Sequence, residues 1–344
     1  MRHSGDSNVM LVDTQTPISK CTNQTLNITP TSVTALAKAI LTSHGVPPDR
    51  ANLIATALTL ADLRGVDTHG INRLPAPDLT FNTKTPTMAL LDAKNTFGYV
   101  AGSLAIDKCI EMAHIYGMGM VSVRNSNHYG MGATYVLHAI EQGFACSAYT
   151  NASRAMPPWA GAEALLGTLT FAVGVPGGGE GDFVLDTSPC VAARGKMRKA
   201  ARRGESIPEG YALDAQGRPT TDPVAALEEG GVCGSAFLVG VHDQYKEMGR
   251  PQGVGHWFLV FRPDVFLDGG VEEFRERMDT LFRTVRGFKK AEGFERTYVN
   301  GEMEAEVEEK RRREGIPFTK AEVDALHYLG LQSGVQIKME EVSK

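Results

Sequence analysis

Apolar residues recur at helical spacing in two neighbouring stretches near the start of the chain. Val33, Leu36, Ala37, Ile40 and Leu41 line one face of a helix that Pro30-Thr31-Ser32 opens and Gly45 stops. Leu53, Ile54, Ala57, Leu58 and Ala61 do the same for a second helix, which begins at Pro47-Pro48-Asp49, runs to Leu63 and ends at Gly65. The pair predicts a helical hairpin that delivers the segment from Arg64 to Arg73 into a loop. Everything up to about Asn27 is polar and aperiodic and reads as a flexible lead-in. Beyond Pro86, Met88 to Leu91 predicts a short strand, Ala101 to Tyr116 a helix closed by Gly117, and Met120 to Val123 a strand. That strand leads straight into the polar loop Asn125-Ser126-Asn127-His128-Tyr129-Gly130, the kind of place where a scaffold presents chemistry. A helix from Ala133 to Gln142 comes next, then strands over 146–151, 169–175, 183–185 and 256–261. The final third is helical: Gly270 to Val285 is amphipathic, and Gly301 to Glu314 sets acids ahead of bases, as the helix dipole prefers.

Composition narrows the class. With 344 residues, 42% hydrophobic and 22% charged, the chain can bury a sizeable core, and no Pro, Ser or Gly stretch is long enough to tether separate domains. A net charge of -5 offers no long-range attraction to phosphate backbones or anionic lipid, so neither nucleic acid nor membrane is an expected partner. The five cysteines are widely spaced and form no C-x-x-C pair, which predicts free thiols and no metal centre. Met1 to Thr16 lacks the apolar core of a signal peptide, and the expected compartment is the cytoplasm.

Several segments could carry chemistry. Asp67-Thr68-His69-Gly70-Ile71-Asn72-Arg73 sets an imidazole and a guanidinium four residues apart, where one turn could aim both at a small ligand; the planar fork of Arg73 suits a carboxylate. The plainer reading has both residues capping carbonyls or meeting solvent. His128 comes after a buried strand among Asn125, Ser126 and Asn127, which can fix its tautomer, and an imidazole is a natural acid/base near neutrality; an inert loop histidine is the alternative. Asp186, after Phe183-Val184-Leu185, could orient an imidazole, hold a ribose hydroxyl or cap the next helix. The glycine fingerprint of ordinary dinucleotide sites fails twice. Gly130-Met131-Gly132-Ala133-Thr134-Tyr135 has Tyr in place of the third glycine, and Gly177-Gly178-Gly179-Glu180-Gly181 has the wrong spacing. Lys196, Arg198, Lys199, Arg202 and Arg203 read as a solvated helix face or as a site for cofactor phosphate.

Taken together these segments resemble the malate/L-lactate dehydrogenase-like family of NAD(P)-dependent 2-hydroxy-acid oxidoreductases. Ala61-Asp62-Leu63-Arg64-Gly65-Val66-Asp67-Thr68-His69-Gly70 matches the family's ADLRGVDSHG with Thr68 for serine, and Asn125 to Gly130 matches its NSxHxG signature. The run from Phe183 to Pro223, then Gly255-His256-Trp257-Phe258 and Asn300-Gly301-Glu302, carry the likeness to the C-terminal part. The resemblance implies an α/β fold unrelated to the Rossmann fold, with a mixed-sheet nicotinamide-binding domain and a helical domain formed by both chain ends. On that pattern residues 1–27 are the lead-in and 28–100 a helical N-terminal part. Residues 101–268 form the nicotinamide-binding and catalytic domain, and 269–344 a helical C-terminal part packed on the N-terminal one. It also implies NAD or NADP as cofactor, a small 2-hydroxy or 2-oxo acid as substrate, and a homodimer. Carried over, His128 is the proton-transfer residue, Arg73 the carboxylate clamp and His69 a second imidazole lining the substrate. Asn151, Ala152, Asp186, Thr187, Ser188, His256, Trp257 and Phe258 fall where the family contacts the cofactor.

The departures point the other way. Gly167-Thr168 is followed by Leu169-Thr170 where the family has GTNP, and Ala76-Pro77-Asp78-Leu79 leaves no room for the family's longer helix. After Ala225-Ala226-Leu227 the family opens a long buried helix with a lysine-glycine cofactor motif; here Glu228-Glu229-Gly230-Gly231-Val232 runs directly into Cys233-Gly234-Ser235-Ala236-Phe237. Two readings therefore stand: an oxidoreductase, or an inactive truncated form that serves only as a dimer partner.

Overall fold

The computed structural model describes residues 25–43, 45–64, 79–158, 161–192, 194–227 and 251–342. It opens with strand β1 (Thr25–Ile28) and the helical hairpin α1 (Pro30–Ser43) and α2 (Pro48–Leu63), followed by β2 (Phe81–Thr85), β3 (Met88–Asp92), α3 (Gly98–Tyr116) and β4 (Met118–Ser126). Next come α4 (Ala133–Ile140), β5 (Ala145–Thr150), β6 (Arg154–Met156), β7 (Leu166–Gly167), β8 (Thr170–Val175), β9 (Phe183–Thr187) and α5 (Arg194–Arg203). The rest is β10 (Ala212–Leu213), β11 (Pro219–Thr220), β12 (Val254–Phe261), a 3-10 turn Pro263–Phe266, α6 (Gly270–Arg286), α7 (Glu302–Glu314), β13 (Ile316–Thr319) and α8 (Lys320–Gln332).

The central sheet has seven strands in the order β2-β3-β4-β12-β5-β8-β9. Only β3 and β4 run parallel, joined through α3; every other neighbouring pair is antiparallel. It is thus a mixed sheet without the serial parallel order of a doubly wound nucleotide fold. Helices α3 and α4 cover one face. There the inward residues Leu91, Val121, Val123, Cys146, Ala148, Ala172, Phe258 and Val260 are buried with Ala105, Ile106, Cys109, Val136 and Ala139. Small residues bring helix and sheet close: a Cβ on Gly119 would stand 2.3 Å from the Cys109 carbonyl oxygen. Gly117 ends α3 in the left-handed conformation that glycine adopts without penalty.

Both chain ends build a second layer. Ile28, Val33, Leu36, Ile40 and Leu63 pack with Ile316, Val323 and Met339, and β1 pairs antiparallel with β13. The lead-in read from the sequence therefore stops short of Asn27: Thr25–Asn27 lie in β1, whose four residues alternate too briefly to register as a period. Helix α8 starts in a capping box, Thr319 with Glu322. Helix α7 buries no residue and is held by charge instead, with Arg64 Nη1 2.8 Å from Glu308 Oε2 and Arg311 donating to the Asp62 carbonyl. Both contacts tie α7 to the C-terminal end of α2.

Candidate active site

The loop carrying His128 is shaped by its strand. Register shifts by one residue between β4 and β12, so that Arg124 and Asn125 oppose the single Gly255, and Asn125 takes φ 53°. An extra residue of this kind bends the strand and re-aims the side chains beyond it. The Asn125 amide donates to both Asp92 carboxylate oxygens at 3.0 and 3.2 Å, which with other donors holds the Asp92 carboxyl below its ordinary range. The Asn127 amide donates to the backbone carbonyls of Asn95 (2.8 Å) and Thr96 (2.9 Å). The first turn of α3 presses on the same loop: a Cβ on Gly98 would lie 2.2 Å from the Asn127 carbonyl oxygen and 2.4 Å from that of His128, so only glycine fits.

His128 itself is half-buried. Its backbone N–H donates to Gln252 Oε1 at 2.9 Å, and the Gly130 N–H donates to its Nδ1 at 3.0 Å. A nitrogen that accepts presents its lone pair, so the neutral ring carries its proton on Nε2, the atom able to donate to a carbonyl oxygen.

His256 lies beneath the loop, 3% exposed and stacked on Tyr129 with ring centroids 4.6 Å apart and planes 7° from parallel. Its Nδ1 is 2.8 Å from Thr150 Oγ1; its Nε2 is 2.9 Å from Ser126 Oγ and 3.1 Å from the Asn127 carbonyl oxygen. Burial pushes its pKa down to about 3, partly offset by the bond to Asn127, so it is neutral throughout the physiological range.

The other residues assigned by resemblance gather at the same end of the sheet, where β4, β5 and β9 finish. Asn151 Oδ1 accepts from the Gly255 N–H at 2.8 Å, and the Ala152 carbonyl packs against Gly167. Thr187 closes β9 and Ser188 comes directly after it, with Oγ 2.9 Å from Cys190 Sγ. Trp257 points to the opposite face of the sheet, 5.2 Å from Tyr149, whereas Phe258 is fully buried beside Tyr135. His69 and Arg73 lie outside the described residues. The chain enters their segment from Arg64, which is 6% exposed and close enough to Asp186 to act on its charge.

Asp186 caps a helix, but one earlier in the chain than the sequence suggested: its Oδ2 accepts from the Ala133 N–H at 2.7 Å, at the start of α4. Burial pushes its pKa up to about 6 against the pull of the Ala133 and Gly132 N–H groups. A carboxyl raised in the fold contributes stability at low pH, which is lost as pH rises through about 6. Asp186→Asn keeps an acceptor and removes the charge. The melting temperature of the wild type relative to this variant should fall between about pH 4.5 and pH 7.5, by the equivalent of at most about 3 kcal/mol. A difference that is flat or rises over that range would contradict the burial of this carboxyl.

The comparisons bear on this arrangement directly. The model of the malate/L-lactate dehydrogenase family matches residues 28–237 and 230–327. The chain belongs to this family. It is 31% identical to a malate dehydrogenase of Pyrococcus abyssi, over 86% of this chain and 92% of the relative. It is also 31% identical to an L-sulfolactate dehydrogenase of Methanocaldococcus jannaschii, over 87% and 95%. Among solved structures, the malate dehydrogenase from Entamoeba histolytica superposes with a TM-score of 0.83 at 28% identity, covering 91% of this chain and 99% of its own. The family is enzymatic, and its members include an NADP(+)-dependent sulfolactate dehydrogenase and an NAD(+)-dependent ureidoglycolate dehydrogenase. The family fold agrees with the mixed sheet observed here and with the missing glycine fingerprint.

The sheet end fits the uncharged part of a nicotinamide cofactor. Thr187 and Ser188 hydroxyls and the Asn151 amide stand at this end of the sheet, groups of the kind that hydrogen-bond an uncharged ligand.

Proposed function

We propose that this protein transfers a hydride between NAD or NADP and a small 2-hydroxy or 2-oxo acid of the malate, lactate or sulfolactate kind. The observation that supports it most is the bracing of the His128 loop. Asp92, Asn95, Thr96, Gln252 and His256 all hold a loop that carries an imidazole. So much fixation of one histidine suits proton transfer, which needs a positioned group.

Bound nicotinamide supplies the hydride at the acid's C2. His128 handles the proton on the C2 oxygen: in reduction the doubly protonated ring gives its Nε2 proton to that oxygen and is left neutral with its proton on Nδ1, and in oxidation Nε2 of that tautomer takes the hydroxyl proton back. A ring that holds two protons has no lone pair at Nδ1, so the Gly130 N–H must then release it. Arg73 clamps the carboxylate and His69 lines the substrate. Thr187, Ser188, Asn151 and Ala152, with the Asp186 and Trp257–Phe258 segments, form the cofactor side, and His256, buried beneath the loop, stays out of contact with the cofactor. The reading includes a homodimer working in the cytoplasm; among the described residues no helix is long and apolar enough to cross a membrane.

Arg73→Ala should raise KM for the acid by about 10- to 100-fold with the cofactor affinity unchanged, since a charged hydrogen bond is worth about 1.5 to 3 kcal/mol. An unchanged KM would remove Arg73 from the substrate site. The function is tested by initial rates of NADH and NADPH oxidation with oxaloacetate, pyruvate and sulfopyruvate, on this chain and on a form carrying the family's lysine-glycine helix after Leu227. Turnover of any of the three supports it. No turnover in either form, together with capture of a complete family member as a heterodimer, would favour the inactive partner.

A further inference from the structure

We infer that His256 is a positioning residue for His128, acting through the loop between them and making no contact with substrate or cofactor. The inference rests on His128 as the proton-transfer group.

The geometry separates the two imidazoles by role. His128 is half-buried in the loop, whereas His256 is 3% exposed, with every polar atom committed inside the chain. The Asn127 carbonyl can only accept, so His256 Nε2 carries the proton and donates to it at 3.1 Å, with Ser126 Oγ alongside at 2.9 Å. Nδ1 then accepts a hydrogen bond from the Thr150 hydroxyl at 2.8 Å. One neutral ring thereby joins the end of β5, the end of β4 and the peptide immediately before His128. The Tyr129 ring stacked on its face holds the peptide immediately after. Residues on both sides of His128 therefore rest on the same imidazole.

This is an economical way to aim a side chain. The Asn125 and Asn127 amides fix the outer edge of the loop to the β3–α3 turn, and His256 fixes its inner edge to the sheet. A neutral ring suits the task, because its tautomer stays set while a neighbouring imidazole gains and loses protons. Among the described residues His256 meets Thr150, Ser126, Tyr129 and Phe258, none of them charged. The ring is thus shielded from the titrations at the site it supports.

Two substitutions divide the bonds. H256Q places an amide N–H near the Nε2 position and can still donate to Asn127, whereas H256N reaches only the Nδ1 position and leaves that carbonyl without its donor. H256N should lower kcat by about 10- to 100-fold, the cost of a small misplacement of a catalytic group, and H256Q should recover most of that loss. The dissociation constants of NADH and NADPH, read by fluorescence, should be the same in both as in the wild type. Histidine 15N NMR gives a readout independent of turnover. The His256 signals should report one neutral Nε2–H tautomer from about pH 5 to pH 8. The His128 signals should broaden or shift in H256N and keep their wild-type positions in H256Q. His128 signals indifferent to H256N would overturn the inference, as would weaker cofactor binding with kcat unchanged. If neither this chain nor the form with the lysine-glycine helix shows turnover, the hydride-transfer function fails, and the NMR arm still decides the positioning role.

Discussion

Replacing His128 with alanine should lower kcat by about 100-fold or more and leave the affinity for NADH and NADPH nearly unchanged, because a positioned acid/base contributes on that scale and does not hold the cofactor. The split has a structural basis. His128 is attached to its surroundings through its backbone N–H, given to Gln252, and through Nδ1, which accepts from Gly130. Alanine keeps the first bond, and the loop's other ties to Asp92, Asn95, Thr96 and His256 do not involve the imidazole. The variant should therefore melt within a few degrees of the wild type. A drop in cofactor affinity with kcat preserved would make His128 a binding residue and leave the site without its proton-transfer group.

The second large effect concerns the segment after Leu227. This chain should bind NADH and NADPH at least about 10- to 100-fold more weakly than a form with the lysine-glycine helix restored, the range a single charged hydrogen bond accounts for. Two comparisons support a missing segment. The family model matches in two pieces that meet at 230–237, where the sequence passes from Gly230-Gly231-Val232 into Cys233-Gly234. The alignment with the Pyrococcus abyssi enzyme runs over 336 positions yet occupies 86% of the 344-residue chain, so the relative carries positions that this chain lacks. A buried helix also covers apolar surface, and each large side chain lost from a core costs about 2 to 5 kcal/mol. Restoring the helix should raise the melting temperature as well as the affinity. A soluble chain that unfolds cooperatively and binds either cofactor at micromolar concentration without the insertion would contradict this account, and would mean that another segment supplies the cation.

Helices with a long apolar period were legible from the sequence. α1, α2, α3 and α6 begin and end within a few residues of where Pro30, Pro48, Gly117 and the repeating apolar positions set them. Strands β1, β2 and β13 were not, because four or five residues with one partly exposed face give too short an alternation, and β1 and β13 pair with each other from far apart in the sequence. Asn125 and Ser126 read as loop and are strand for a related reason. Their pairing with β12 brings Ser126 opposite Val254, and no local period anticipates it. The His128 loop was found because its polar cluster comes after a buried strand. The residues that hold the loop were missed: Asp92, Gln252, Thr150 and Gly98 have no motif, and only the fold brings them to it. Asp186 shows the same limit: a cap for the helix after it was one of three readings, and the carboxylate instead serves α4, which precedes it.

The central claim is that this site moves a hydride from nicotinamide to the C2 of a 2-oxo acid while His128 moves the proton. It is tested most directly by mass spectrometry of the product formed from 4-deuterated NADH or NADPH and oxaloacetate, pyruvate or sulfopyruvate, using the form with the helix restored. The account predicts a 2-hydroxy acid labelled at C2, formed by the His128→Ala variant at about one hundredth of the wild-type rate or less. Absence of labelled product with all three acids, or equal rates of labelling with and without His128, would contradict it.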